Sequence, residues 1–235
     1  FKLTINNSIL NGEVNKTYFM RKGDSIDILN TLESNYGYIS IKNGILTTKF
    51  NDSSSTLISS NIGGNYGKKI TNNQIIEGIS SEKELNLKIN NLKRPNDKIV
   101  RVINGSHMNY FKIKDIKKFF EADFIISENI NRIGLRLINN PIKPLKSYNI
   151  DSEGIIKGTI QIPGDGNPII LASDHPTIGG YPKFATVVMA DFDKIFQMTP
   201  NTKFRFNQIT IEEAEKLLID YKNRINNIKK LIVKF

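Results

Sequence analysis

With 235 residues, 39% of them hydrophobic and 24% charged, the chain is long enough for one large domain or two small ones, each with its own core. It has no cysteine, which excludes disulfides, thiolate metal sites and a cysteine nucleophile; only His107 and His175 supply imidazole, in no HExxH pair, so no metal site is expected. The net charge of +10 is spread by a bias toward Lys, Asn and Ile; its densest groups, such as Lys112, Lys114, Lys117 and Lys118, read as solvated helix faces without interleaved aromatics, so no nucleic-acid partner is expected.

Residues 1–10 open with Leu3 and Ile5 alternating against Lys2 and Thr4, the pattern of a half-buried strand, and Asn11-Gly12 predicts a hairpin turn. Residues 20–24 form a further turn before the run 25–29, and residues 36–41 read as a strand stopped by Lys42-Asn43-Gly44. Short strands without βαβ alternation predict a barrel or sandwich. Residues 51–70, rich in Ser, Asn and Gly, are either a surface crossover or a binding loop, in which Gly63, Gly64 and Gly67 would admit a ligand to the backbone. The polar stretch 90–97 is the expected boundary between lobes covering residues 1–92 and 93–235.

Beyond that boundary, residues 99–103 read as a strand, Asp115 as the cap of a short helix, and residues 124–126 and 135–137 as further strands. Asp191 is expected to cap a helix of one or two turns through Phe196, ended by Pro200. Thr210 and Glu213 form a capping-box pattern ahead of Ala214, Leu217, Leu218, Tyr221, Ile225 and Ile228. That spacing predicts a long C-terminal helix packing one face on the core or on a partner. No apolar run reaches the roughly 18 residues of a membrane span and no signal-peptide pattern opens the chain, so a cytoplasmic protein is expected.

The densest chemistry lies in residues 158–190. Thr159-Ile160-Gln161-Ile162 and Ile169-Ile170-Leu171-Ala172 flank a Pro/Gly/Asp cluster, the pattern of a hairpin, and a polar loop over 173–182 leads to a third apolar run. Adjacency of Ser173, Asp174 and His175 argues against a catalytic triad, and no G-x-S-x-G elbow is present. Asp174 suits either proton acceptance and an amide N–H, or an Asx-type turn bond near Thr177; residue chemistry alone favours the turn. Gly179 and Gly180 allow positive φ and close ligand approach, or simply form a tight turn, and Tyr181 offers either its hydroxyl to a ligand or its ring to the core. Arg132 and Arg136 suit a substrate anion or an ion pair equally. No P-loop pattern occurs.

This stretch closely resembles the signature of the family of biotin-dependent carboxyltransferases and 5-oxoprolinase C-type subunits, also called KipA-like or allophanate hydrolase subunit 2. Matching positions are Gly158, Ile160, Gln161, Pro163, Asp165, Gly166, Pro168, Asp174, Thr177, Gly179, Gly180, Tyr181, Pro182, Ala185, Thr186, Val187 and Asp191. Upstream, residues 131–137 look like the family's S-x-R-M-G-Y-R-L element, with Ile130 in place of its Ser, and Gly105-Ser106-His107 like its G-P-H turn. Asp52 stands where the family has Gly, and Ser54 and Lys68 where it has Arg.

The resemblance implies a mainly β protein with a few helices, of cyclophilin-like β-barrel architecture in two lobes. It implies one component of an ATP-dependent 5-oxoprolinase, hydrolysing 5-oxo-L-proline to L-glutamate together with A-type and B-type sister subunits. ATP then acts at the level of the complex, and this chain binds no cofactor of its own. One alternative is the carboxyltransferase component of a urea-carboxylase-like enzyme, using biotin on a carrier; another is a non-catalytic regulatory protein that binds a partner. Asp174 is the implied catalytic residue, and Gln161, Thr177, Gly179, Gly180, Tyr181, Arg132 and Arg136 the implied contacts to a small amide substrate. The match begins late, without the family's Q-D-x-G-R segment, and the first residue is Phe1, so a fragment or truncated copy is expected, its site completed by missing residues or another chain.

Overall fold

The computed structural model describes residues 1–235 except Leu32, Glu82, Lys83, Asn91, Lys93, Arg94 and Asn96. Residues 1–29, 37–88 and 234–235 form one unit, and residues 30–36 and 89–233 a second. The expected lobe boundary over 90–97 includes Asn91, Lys93, Arg94 and Asn96, which lie outside the described residues.

In the first unit β1 (Lys2–Ile5) pairs antiparallel with both β2 (Ser8–Asn11) and β3 (Ser25–Asp27). The hairpin turns at Asn6-Asn7 rather than at Asn11-Gly12. Both asparagines adopt positive φ (49° and 63°), as a type I′ turn requires, while Asn11 is paired with Lys2. β4 (Ile45–Leu46) pairs with β7 (Glu77–Gly78), and β5 (Thr56–Leu57) with β6 (Ile62–Gly63). Residues 36–41 form no strand; Tyr38 is 87% exposed, so the alternation there has no buried face. The loop over 51–70 closes on itself. A Cβ on Gly63, Gly64 or Gly67 would stand 1.9, 2.3 or 2.0 Å from backbone atoms of Ser55, Ser54 or Asn61, so these glycines serve the loop's own close approach. β8 (Leu87–Ile89) follows.

The second unit runs β9 (Ile99–Asn104), α1 (Ile113–Glu121), β10 (Phe124–Ile130), β11 (Gly134–Ile138), β12 (Glu153–Gly154), β13 (Thr159–Gln161), β14 (Ile169–Leu171), β15 (Ile178–Gly179), β16 (Lys183–Val187), α2 (Met189–Gln197), β17 (Lys203–Gln208) and α3 (Ile211–Ile228); a last strand, β18 (Ile232–Lys234), follows and ends on a residue of the first unit. Seven strands close into a barrel in the order β10-β11-β14-β13-β16-β9-β17; β17 and β9 run parallel, the other pairs antiparallel. Period-two burial fills its interior: Val100 and Val102, Leu135 and Leu137, Ile160 and Ile162, and Phe204 and Phe206 are all nearly or wholly buried. α1 joins the end of β9 to the start of β10 and inserts Phe119 there, stacked on Phe206 at 5.0 Å and 4.3 Å from the Phe184 ring. No helix among the described residues is long and apolar enough to cross a membrane.

Helix starts differ from expectation in two of three cases. α1 is entered from Lys112 and α2 from Val188, so Asp115 and Asp191 lie inside the first turn instead of capping it. Asp191 is buried: it accepts from the Arg101 backbone N–H (2.8 Å), from Arg101 Nε (2.8 Å) and Nη2 (2.6 Å), and lies 3.3 Å from Lys194 Nζ. Burial pushes its carboxyl up, but these donors prevail and hold it below the usual range. α3 has the capping box, with Glu213 N–H donating to Thr210 Oγ1 at 3.2 Å and Thr210 N–H to Glu213 Oε2 at 2.9 Å. Its apolar stripe is half-buried at Ala214, Leu217, Leu218, Tyr221 and Ile228 and exposed at Ile225, and Tyr221 donates its hydroxyl to Asp193 of α2.

Candidate functional site

The turn between β13 and β14 is built by its own polar residues. Gly166 has φ +78°, and a Cβ there would stand 2.7 Å from the Ile142 carbonyl oxygen. Asp165 accepts from the Asn167 side chain at 2.7 Å and from Arg136. Burial raises its carboxyl, yet the bonds from Asn167 and Arg136 leave it below the ordinary range. Arg136, on β11, is therefore engaged with the hairpin turn through Asp165.

Because Ile160 and Ile162 fill the barrel interior, Gln161 between them faces outward, yet it is only 6% exposed. The chain from β14 to β16 covers it. Within this crossover β15 pairs with β12, placing Gly179 opposite Glu153. Gln161 Nε2 donates to the Tyr181 carbonyl at 3.4 Å, and a Cβ on Gly179 would lie 2.7 Å from that nitrogen. A Cβ on Gly180 would lie 3.3 Å from the Ile150 carbonyl oxygen. Close approach explains these two glycines; neither has positive φ. The Thr177 carbonyl accepts from the Ile155 N–H at 3.0 Å, and Tyr181 is 40% exposed.

Asp174 stands elsewhere. Its N–H donates to the Arg132 carbonyl at 2.7 Å, and its carboxylate receives Arg132 Nε at 2.6 Å and Nη2 at 2.9 Å. This bidentate pair stands in place of the Asx-type turn bond. Leu171 pairs with Gly134 whereas Gln161 pairs with Ile169, so the Asp174–Arg132 pair lies beyond one end of these strands and Gln161 lies at the other. The candidate residues thus form two groups: Asp174 with Arg132, and Gln161 with Gly179, Gly180 and Tyr181. Thr177 lies on the crossover between them.

Three polar residues beside Gln161 were not among the sequence candidates. Lys183, which pairs with Gln161 across β16 and β13, bonds Glu153 through its ammonium and the Gly154 carbonyl at 3.3 Å. His107 is 6% exposed, with Nε2 3.6 Å from Glu153 Oε1. The Lys183 salt bridge holds the Glu153 carboxyl below the usual range. Gly105-Ser106-His107 and the outward position before buried Phe184 were signals for two of them; nothing around Glu153 marks it. Among the described residues no group of three His, Asp or Glu is placed to hold a metal ion.

The family model for the carboxyltransferase domain, subdomain A and B, matches residues 1–208. The chain is 25% identical over 215 residues to the C subunit of 5-oxoprolinase from Haemophilus influenzae, covering 92% of this chain and 69% of that protein. It is also 25% identical over 221 residues to urea amidolyase of Saccharomyces cerevisiae, covering 84% of this chain but 12% of that one. The crystal structure of Kluyveromyces lactis urea carboxylase superposes with a TM-score of 0.80 at 24% identity, over 97% of this chain and 22% of that one.

Proposed function

Because the chain belongs to the carboxyltransferase domain family of the subdomain A and B type, we propose that it serves as the C-type subunit of an ATP-dependent 5-oxoprolinase, opening 5-oxo-L-proline to L-glutamate together with A-type and B-type partners. The observation that carries this reading is the seating of the Gly179-Gly180 crossover on buried Gln161, in a chain aligned over most of its length with the C subunit of a bacterial 5-oxoprolinase. A held side-chain amide beneath a thin backbone cover suits a small planar amide, with donors fixed in place for charge developing on its oxygen. In this reading Gln161 holds the Gly179-Gly180 segment in place through the Tyr181 carbonyl, the exposed Tyr181 side chain orients the amide, and Thr177 borders its approach. Asp174 acts through its pair with Arg132 to hold the near end of the crossover, and Arg136 holds the hairpin through Asp165.

ATP belongs to the partners in this reading. The sequence has no P-loop pattern, and the glycines of residues 63–67 are closed by their own loop, so the residues present do not fit a phosphate cradle. The similarity to urea amidolyase over 84% of this chain favours one second reading, a carboxyltransferase that takes its carboxyl group from biotin on a separate carrier. Substrate discrimination separates the two. The chain combined with A-type and B-type subunits is expected to release glutamate from 5-oxo-L-proline with ATP, without a biotinylated carrier. Carboxylation of urea that requires the carrier would overturn the first reading, as would assembly with the partners and no turnover at all.

A further inference from the structure

On the outer barrel wall beside Gln161, His107, Glu153 and Lys183 meet from three separate segments, and the proposed function uses none of them. Lys183 is 13% exposed and its ammonium has three N–H bonds; Glu153 and the Gly154 carbonyl are two acceptors for them. Glu153 binds Lys183 through Oε2 and is 46% exposed, so its carboxylate keeps accepting capacity toward solvent. His107 Nδ1 accepts from the Lys183 backbone N–H at 3.4 Å and lies 3.1 Å from Ser106 Oγ. An accepting Nδ1 leaves the ring proton on Nε2, which faces Glu153 Oε1. The frame is stiff: a Cβ on Gly105 would stand 2.2 Å from the Lys183 carbonyl oxygen, and Glu153 is paired with Gly179 of the crossover.

We propose that Glu153 and Lys183 form a binding site for the cis-amide edge of a small lactam or ureide, with His107 as a positioning residue for Glu153. A cis amide carries N–H and C=O on one edge. The carboxylate of Glu153 accepts from that N–H, and the third N–H of Lys183 donates to that oxygen. A ligand carboxylate offers no donor and meets the charge of Glu153, while a ligand ammonium offers no acceptor to Lys183, so the pair selects a neutral amide edge over either ion. The inference rests on the amide reading above for its substrate class, and it adds the residues that would grip the substrate.

The test titrates the full chain with 2-pyrrolidinone, with N-methyl-2-pyrrolidinone, which lacks the N–H, and with urea, followed by NMR. Loss of one hydrogen bond to a charged group corresponds to about tenfold in affinity. Binding of 2-pyrrolidinone and urea is expected to shift the His107 ring 15N signals, and the N-methyl lactam to bind about tenfold more weakly. Glu153→Gln and Lys183→Met are expected to lose the binding by a similar factor while keeping the wild-type unfolding midpoint, and Glu153→Gln to abolish the response of the His107 ring. Equal binding of both lactams, unchanged affinity in both variants, or no binding to the wild type would overturn the proposal. If the assembled complex turns over 5-oxo-L-proline and both variants keep the wild-type KM and kcat, the site fails while the 5-oxoprolinase reading stands. If turnover is absent but lactam binding at these residues persists, the converse holds.

Discussion

Two glycines that each sit against the crossover or its strand separate folding from function at the level of single atoms. A Cβ on Gly105 meets the Lys183 carbonyl, which is backbone, whereas a Cβ on Gly179 meets the far end of the Gln161 side chain and Ile155 Cδ1 at 3.0 Å. Forced overpacking costs about 1–3 kcal/mol. Gly105→Ala is expected at or above the upper end of that range in urea unfolding, and Gly179→Ala near the lower end, with a disproportionate loss of turnover because Gln161 is displaced. A second residue-scale consequence concerns Asp191. Removing one partner of a buried pair costs about 3–5 kcal/mol, so Asp191→Asn is expected to destabilise the barrel by about 3 kcal/mol. Its carboxyl is held low in the folded state, so its contribution is full above the ordinary carboxylate value of about 4 and is lost as pH falls through the folded-state value. Unfolding free energy measured from pH 7 down to pH 3 is expected to fall less steeply in Asp191→Asn than in the wild type. Asp174, for which a turn bond and a catalytic role were both open from its neighbours in sequence, is tied to Arg132 by a contact 42 residues away that no local pattern encodes.

Among the elements, those set by local chemistry were legible and those set by distant pairing were not. The capping box of α3 is a four-residue interaction, and it is present as the pattern implies. Thr210→Ala is expected to cost about 1 kcal/mol, read from helix content and the unfolding midpoint, because one backbone N–H of the first turn loses its partner. The hairpin of β13 and β14 was equally legible, because its turn residues bond to one another. The first hairpin was misplaced because both Asn6-Asn7 and Asn11-Gly12 tolerate positive φ, and only the pairing of Asn11 with Lys2 decides between them. The alternation of Phe204 and Phe206 is local to β17, but its parallel partner β9 lies about a hundred residues earlier, and no local pattern names that pairing. The half-buried face of α3 shows why periodicity alone names a face without saying how deeply it is covered.

Over the whole molecule, burial is concentrated in one unit. Among the described residues every buried apolar side chain except Leu3 lies in the second unit, while Ile9, Val14, Tyr38 and Ile75 of the first are each more than 70% exposed. Amide hydrogen exchange is therefore expected to be slowest in β9, β13 and β16, approaching the global unfolding limit, and far faster through residues 37–88. Uniform protection across both units would contradict that division. The barrel class was legible because strand periodicity and the absence of βαβ alternation are global properties of the sequence. The splitting of the candidate residues between two ends of the barrel was not, since it depends on the registers of β11, β13 and β14.

In the proposed reading this chain works as the C-type member of an amide-hydrolysing assembly. It is tested most directly by the rate of glutamate release from 5-oxo-L-proline and ATP by the A-type and B-type subunits, measured with and without this chain. The expected result is turnover that appears only when the chain is added and saturates at a fixed stoichiometry. A rate that is the same without it, or that stays at zero with it, would contradict the claim.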